Sequence, residues 1–185
     1  MADDSSSPAF SGRYLDVIWE NGCEYTRNRR ARGVVLVIAL TEAQEIIFIE
    51  QYRVPLKSMV IEYPAGLVGD EAGSREESFE SAARRELLEE SGYEAGEMQL
   101  LLRGPSSPGS STEIVDFYLA RNARRIHTGG GVEHERIHVH AVKLAAADAF
   151  LEEKTRQGVL VDPRVYLGVH CARKCLHGSI PDTPR

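Results

Sequence analysis

The sequence predicts an α+β domain with helices layered on a sheet, and three observations predict it. Short apolar or alternating runs recur at residues 33–40, 45–52, 98–103, 114–120 and 137–142, each bounded by turn residues. An amphipathic stretch at 77–91 breaks this pattern at helical period and stops at Gly92, a suitable C′ residue. Two further helical stretches, 144–157 and 163–176, follow the last strand. Several strands, one central helix and C-terminal helices make an α+β or layered α/β/α domain.

The elements are justified in chain order. Residues 1–12 are polar and acidic and are expected to be disordered, leaving 13–185 as one domain. Residues 14–25 alternate around Glu20-Asn21-Gly22, which is a hairpin signal. The basic run at 27–32 reads either as a solvated segment or as an anion contact. Residues 33–40 are continuously apolar, the mark of a strand buried on both faces. A turn at 41–44 leads to the strand 45–52, and a short extended piece at 59–63 runs into Pro64-Ala65-Gly66. Between strands 98–103 and 114–120 lies a Pro- and Ser-rich loop, 104–113. Asp162-Pro163 reads as an N-cap with proline at N1, opening the last helix.

Composition sets the functional bounds. A length of 185 residues suits one domain, and 42% apolar with 27% charged residues is ordinary for a globular chain. No apolar run approaches a membrane span. The N-terminus is not a signal peptide, so a cytoplasmic location is expected. A net charge of −6 argues against a nucleic-acid partner. The three cysteines form no disulfide framework. Cys171 and Cys175, one helical turn apart and near His170 and His177, read as reduced thiols in preference to a zinc site, because one short helix cannot wrap a tetrahedral ion.

The chemistry lies in the 77–91 helix. Glu86, Glu89 and Glu90 fall at i, i+3 and i+4, on one face and near the C-terminal end, where the helix dipole gives carboxylates no support. Such a cluster calls for cations. Hard oxygen ligands without histidine or cysteine favour Mg²⁺, or Mn²⁺. The bland reading is a solvated face paired with Arg84 and Arg85.

The wider pattern resembles the Nudix box. Glu77, then Arg85-Glu86-Leu87, Glu89-Glu90 and Gly92-Tyr93 stand at the spacing of that family. The box's leading glycine is replaced by Glu71, and Gly66 stands in for it, so the loop 67–76 looks lengthened, with Gly69, Asp70, Gly73 and Ser74 as turn material. Glu50-Gln51-Tyr52-Arg53, Glu62-Tyr63-Pro64-Ala65-Gly66 and Ser107-Pro108-Gly109 with Thr112-Glu113 resemble the nucleoside-diphosphate-sugar branch, whose best-known members cleave ADP-ribose. Gly129-Gly130-Gly131-Val132-Glu133-His134-Glu135 is similar to a loop of GDP-mannose hydrolases in that branch. The resemblance covers roughly residues 14–170.

That resemblance implies a Nudix fold, an α/β/α sandwich with a mixed sheet, and hydrolysis of a diphosphate bond with two or three Mg²⁺ (or Mn²⁺) ions. It places metal contacts at Glu86, Glu90, the Ala65 carbonyl and Glu89. Glu133 is the expected general base and Glu135 the second choice, since a carboxylate away from the metal keeps its basicity. The glycines before them suggest a mobile acidic loop. Arg85 is assigned to the catalytic set, with pairing to Glu77 as its favoured role. Arg53, Glu113, Trp19 and Arg32 are expected to bind substrate, with Trp19 either stacking on the base or lying in the core. The branch also implies a homodimer built through strands 13–30, with Trp19 and one of residues 27–32 acting across the interface. The substrate is read as ADP-ribose, with GDP-mannose or a broad range of NDP-sugars as the alternative. A non-catalytic nucleotide-sugar sensor and an enzyme of RNA caps or triphosphates are rivals.

Overall fold

The computed structural model describes residues 7–69, 76–131 and 136–176. Its strands are β1 (Phe10–Ser11), β2 (Leu15–Glu20), β3 (Cys23–Asn28), β4 (Val34–Leu40), β5 (Glu45–Arg53), β6 (Ser58–Glu62) and β7 (Ala65–Leu67). The helix α1 (Phe79–Glu86) continues into a π-helical turn (Leu87–Ser91), followed by β8 (Tyr93–Glu94), β9 (Glu97–Pro105), β10 (Ile114–Arg121), β11 (Arg124–Arg125) and β12 (Ile137–Lys143). A 3₁₀ turn (Leu144–Ala146) opens α2 (Ala147–Arg156), and β13 (Leu160–Val161) precedes α3 (Pro163–Leu176).

The central sheet runs β13-β6-β5-β4-β10-β9, with β12 added to β5 and β7 to β4. It is mixed: β4–β10 and β6–β13 are parallel, and the other pairs are antiparallel. Strand β4 shows why its sequence is continuously apolar. Val34, Leu36, Ile38 and Leu40 enter the core beneath α2 and α3 with Phe48, Leu151, Val165 and Val169. Val35, Val37 and Ala39 enter the opposite core beneath α1 with Ala82, Ala83 and Leu87. A strand covered by helices on both faces has no position for a polar side chain, and the α/β/α sandwich follows from it.

Strand β4 also parts from its neighbour. It pairs with β5 only at Ala39 and Leu40, and its first half pairs with β7. The Val37 N–H donates to the Pro64 carbonyl at 2.8 Å across that split. The turn at 63–66 is thereby inserted into the sheet and delivered beneath the α1 helix.

Several expectations need correction. Disorder does not extend over residues 1–12: Phe10 and Ser11 pair with Val17 and Asp16, and residues 1–6 lie outside the described ones. The helix expected over 77–91 begins at Phe79, after the Ser78 side chain caps the Ser81 N–H at 3.0 Å, and widens at Leu87. Through that turn Glu86 and Glu89 both reach one guanidinium nitrogen of Arg85, and Glu86 and Glu90 meet the adjacent residues Gly66 and Ala65. Strands β1, β7, β8, β11 and β13 are two or three residues long, too short to leave a periodic signal. The N-terminal strands form a separate sheet, β1-β2-β3, with Asn21 and Gly22 both at positive φ in the hairpin turn. It is tied to the loop 104–113 by Thr26 N–H donating to the Ser110 carbonyl (2.9 Å) and Thr112 N–H to the Thr26 carbonyl (3.0 Å).

Helix α2 is anchored to the sheet by charge as well as by Leu151. Glu50 on β5, 8% exposed, accepts from Lys154 Nζ at 2.6 Å and lies 2.8 Å from His140 Nε2 on β12. Burial opposes its ionisation, but the hydrogen bonds from Lys154 and His140 outweigh burial and hold its carboxyl below the usual range. Burial pushes His140 below its ordinary 6.5 in spite of Glu50. Both groups are depressed in the fold, so the unfolded chain binds the extra protons, and stability falls as pH falls. That contribution is complete above about 6.5, declines first as His140 titrates, and declines again below the ordinary carboxyl value of 4.5. Glu50→Gln is expected to lower unfolding stability by about 1.5–3 kcal/mol, the scale of a hydrogen bond to a charged group. It should also flatten the acid limb of a urea-midpoint-against-pH curve, while an unchanged midpoint at pH 7.5 would remove the triad from the fold's support.

Candidate active site

The acidic turn is organised around one guanidinium. Arg85 Nε donates to Glu77 Oε1 at 3.1 Å and Nη2 to Glu77 Oε2 at 3.2 Å, a bidentate grip. Nη1 reaches Glu86 Oε1 at 2.7 Å and Glu89 Oε2 at 3.3 Å, and Nη2 also donates to the Leu67 carbonyl at 3.3 Å. A guanidinium has five N–H donors, and these contacts use all five. Burial alone would weaken its protonation, but Glu77 and then Glu86 more than compensate and raise it above its ordinary value. Saturated in this way, Arg85 positions the carboxylates and keeps no N–H for a reacting group.

The turn at 63–66 meets the same cluster. Ala65 N–H donates to Glu90 Oε2 at 2.9 Å, and Glu90 is 5% exposed. The Glu86 carboxylate lies against Gly66, where an added Cβ would stand 2.0 Å from its carboxyl carbon. Residues Ala65, Glu86 and Glu90 are therefore brought together, and Glu89 stands further out, 37% exposed on Arg85. Among the described residues no three acidic, histidine or cysteine side chains converge on one point, because Glu86 and Glu89 turn to Arg85 and Glu90 to the Ala65 N–H. The donors fit a hard divalent cation in kind: Glu86, Glu90 and Glu89 with the Ala65 carbonyl are all oxygen ligands, and Gly66 leaves the space in which the Glu86 carboxylate sits.

The C-terminal end of this helix is covered by the triglycine. Gly130 N–H donates to the Glu90 carbonyl (2.9 Å) and Gly131 N–H to the Glu89 carbonyl (3.1 Å), satisfying acceptors that a helix end leaves open. At Gly129, φ is +70° and a Cβ would stand 2.4 Å from the Ser91 carbonyl carbon. Gly129 thus allows close backbone contact, and a Cβ at Gly130 would meet nothing within 4 Å. Glu133 and Glu135 lie outside the described residues.

Two cavities of about 700 Å³ each share Glu113. One is lined by Arg53, Glu62, Ser106, Asp162 and Arg164, with Pro55, Leu56 and Leu160 on its apolar side. Arg53 Nε is fixed by Glu62 at 2.7 Å. The other lies between β3 and β10 and is lined by Arg27, Arg32 and Arg103 together with Tyr25 and Asn28. Arg32 and Arg103 stack over the Phe79 ring at 5.5 and 5.4 Å, and Arg32 Nη1 donates to the Glu77 carbonyl at 3.0 Å, which couples this cavity to the start of α1. Trp19 is 62% exposed on the N-terminal sheet and lines neither cavity, so it is not a core residue.

Sequence reasoning did not assign Glu62, Arg103, Asp162 or Arg164 to the site. Glu62 lay inside a quoted motif, and Asp162 was visible as a helix cap. Arg103 and Arg164 carried no signal, since only the fold brings β9 and the start of α3 to these walls.

Comparisons with known proteins identify the family and the fold. The NUDIX domain model matches residues 29–160, and the chain belongs to that family. It is 35% identical over 153 residues to a methanol dehydrogenase activator of Bacillus methanolicus, covering 78% of this chain and 80% of that protein. It is 32% identical over 146 residues to a GDP-mannose pyrophosphatase of Cronobacter sakazakii, covering 75% and 71%. A crystal structure of an ADP compounds hydrolase has the same fold, with a TM-score of 0.68 at 23% identity over 93% of this chain and 91% of that one.

Gly66→Ala tests the arrangement. The clashing atoms are the far end of a flexible side chain, so the backbone has little reason to move, but the Glu86 carboxylate must leave its seat. Affinity for Mn²⁺, followed by calorimetry, is expected to fall by about 10-fold or more, as when a supporting contact of a metal site is lost. The melting temperature should stay within a few degrees of wild type. Undiminished Mn²⁺ binding would separate Glu86 from the metal.

Proposed function

We propose that this chain is a metal-dependent pyrophosphatase of nucleoside diphosphate sugars, with ADP-ribose, cleaved to AMP and ribose 5-phosphate, as the first substrate. The observation that carries this reading is the junction of Ala65, Gly66, Glu86 and Glu90 around the saturated Arg85. The two cavities that share Glu113 offer room for a substrate with two unlike halves. A sensor would have no need of this carboxylate set, and its retention weighs against that rival.

Water attacks one phosphorus, the P–O–P bridge breaks, and the departing phosphate keeps the bridging oxygen. Glu86 and Glu90, with the Ala65 carbonyl and Glu89, would hold the divalent ions, for which we propose two or three Mg²⁺ (or Mn²⁺). Such ions supply neutralisation of the diphosphate and a lower pKa for the attacking water. Arg85 keeps Glu77, Glu86 and Glu89 in place throughout. Glu133 takes the proton, with Glu135 as the alternative base, because neither is among the residues that hold metal. Arg53 and Glu113 bind the sugar side, and Arg32 binds an anionic group of the substrate. The exposed Trp19 and strands 13–30 support a homodimer in which Trp19 stacks on the partner's nucleotide.

A second reading, GDP-mannose, is favoured by the triglycine seat and by the similarity to GDP-mannose pyrophosphatases. A panel of ADP-ribose, GDP-mannose, ADP-glucose, UDP-glucose and a nucleoside triphosphate, assayed with Mg²⁺ and resolved by chromatography of products, separates the two. ADP-ribose is expected to show the highest kcat/KM, and Glu86→Gln to lose about 100-fold or more of it. Glu133→Gln is expected to lower kcat by about 10²–10⁴ with little change in KM; an unchanged kcat transfers the base to Glu135. No turnover of any NDP-sugar with Mg²⁺ or Mn²⁺ would sink the proposal.

A further inference from the structure

Helix α3 carries a cation where a helix disfavours one. Its first turn holds no acidic residue, and Arg164 follows Pro163 directly, at the end where backbone N–H groups and the dipole repel positive charge. The side chain folds back on the capping residue. Arg164 Nε donates to Asp162 Oδ1 at 3.0 Å and Oδ2 at 2.8 Å, and Nη2 also contacts Oδ2. Asp162 spends Oδ1 on the Arg164 backbone N–H at 2.8 Å as well, so the carboxylate is fixed before the guanidinium rests on it.

Across the same cavity, Arg53 on β5 is fixed through its Nε by Glu62. The two arginines are thus built alike, each anchored by one carboxylate, with Nη1 making no hydrogen bond among the described residues. The charge on Arg164 is secured by Asp162 first, against burial, and also by Glu62 and Glu113.

The balance of charge says what the cavity takes. Two guanidinium groups face three carboxylates, those of Glu62, Glu113 and Asp162, so a further phosphate dianion finds no net attraction. A hydroxyl donates to a carboxylate and accepts from a guanidinium at once, and neighbouring hydroxyls of a sugar match alternating donors and acceptors. We propose that Arg164, seated on Asp162, is a substrate-binding residue that grips the sugar half of the substrate opposite Arg53 and sets the preference for a polyhydroxylated leaving group. This rests on the NDP-sugar reading and assigns one wall of its site.

The test compares wild type, Arg164→Met and Arg164→Lys on the NDP-sugar that wild type turns over best. Competitive inhibition by the same nucleotide with a methyl group in place of the sugar serves as the second readout. Arg164→Met is expected to lose about 10–100-fold in kcat/KM, carried by KM, with the methyl ester's inhibition constant within about threefold of wild type. Arg164→Lys is expected to lose less, since an ammonium keeps the charge without the fork that spans Asp162 and a ligand. It also carries the test if the methionine variant melts early. A merely structural ion pair would weaken the methyl ester and the sugar substrate alike, and that result, or no loss at all, overturns the inference while leaving the reaction intact. If wild type cleaves no NDP-sugar, the functional reading fails and this inference falls with it.

Discussion

Three carboxylates of this molecule's site depend on one fully occupied guanidinium. Glu77, Glu86 and Glu89 would repel one another, and the last two stand toward a helix C-terminus whose dipole also opposes them. Arg85 offers five N–H donors, and each has an acceptor: two on Glu77, one each on Glu86 and Glu89, and one on the Leu67 carbonyl. The last contact matters structurally, because Leu67 belongs to β7, the strand that follows the 63–66 turn. A single side chain thus ties the start of the helix, its acidic turn and the incoming loop, and a lysine could not replace it, having three donors on one point charge.

That tie is possible only because the sheet is split. Were β4 paired with β5 along its whole length, the turn after β6 would have no edge to enter. Pairing is confined to Ala39 and Leu40, and β7 takes the vacated edge at residues 34–36. The Ala65 N–H can then meet Glu90, and Gly66 the Glu86 carboxylate. Glycine is required at 66 for lack of space: any Cβ there would occupy the position of the carboxyl group that the site uses.

The parts of this arrangement that could be read in the sequence are those with a local cause. Strand β4 announces itself because burial on both faces removes every polar residue. The helix announces its end through Gly92, though it starts at Phe79 after the Ser78 cap rather than at residue 77, and the spacing of its acids holds wherever the chain is placed. The π turn could not be read, because no residue's propensity marks it; in the fold Leu87 and Ser91 are buried and Ser91 Oγ donates to the Leu87 carbonyl. The triglycine was legible as a feature but not in its role, since only the docked structure shows Gly130 and Gly131 meeting the carbonyls of Glu90 and Glu89. Trp19 fitted either core or surface in the sequence, and its exposure follows from a three-stranded sheet with no helix among the described residues over it.

The two cavities differ in a way that the net charge of −6 conceals. The wall between β3 and β10 gathers Arg27, Arg32 and Arg103, and two of these also flank Phe79 at the start of α1. The wall formed by β5, β6 and α3 pairs each arginine with its own carboxylate. The first sets Arg27, Arg32 and Arg103 against Glu20 and Glu113, and the second sets Arg53 and Arg164 against Glu62, Asp162 and the shared Glu113, so an anionic group is better matched to the first. An acidic protein can therefore handle a doubly charged diphosphate without a basic surface. It gathers three arginines in one recess, where Arg27 and Arg103 pair with Asp16 and Asp116, and two in the other, where Glu62 and Asp162 pair with them, and it sets Glu86, Glu89 and Glu90 on a helical segment whose first residue, Phe79, meets Arg32 and Arg103. The placement of charge between the two recesses, rather than its sum, is what distinguishes them.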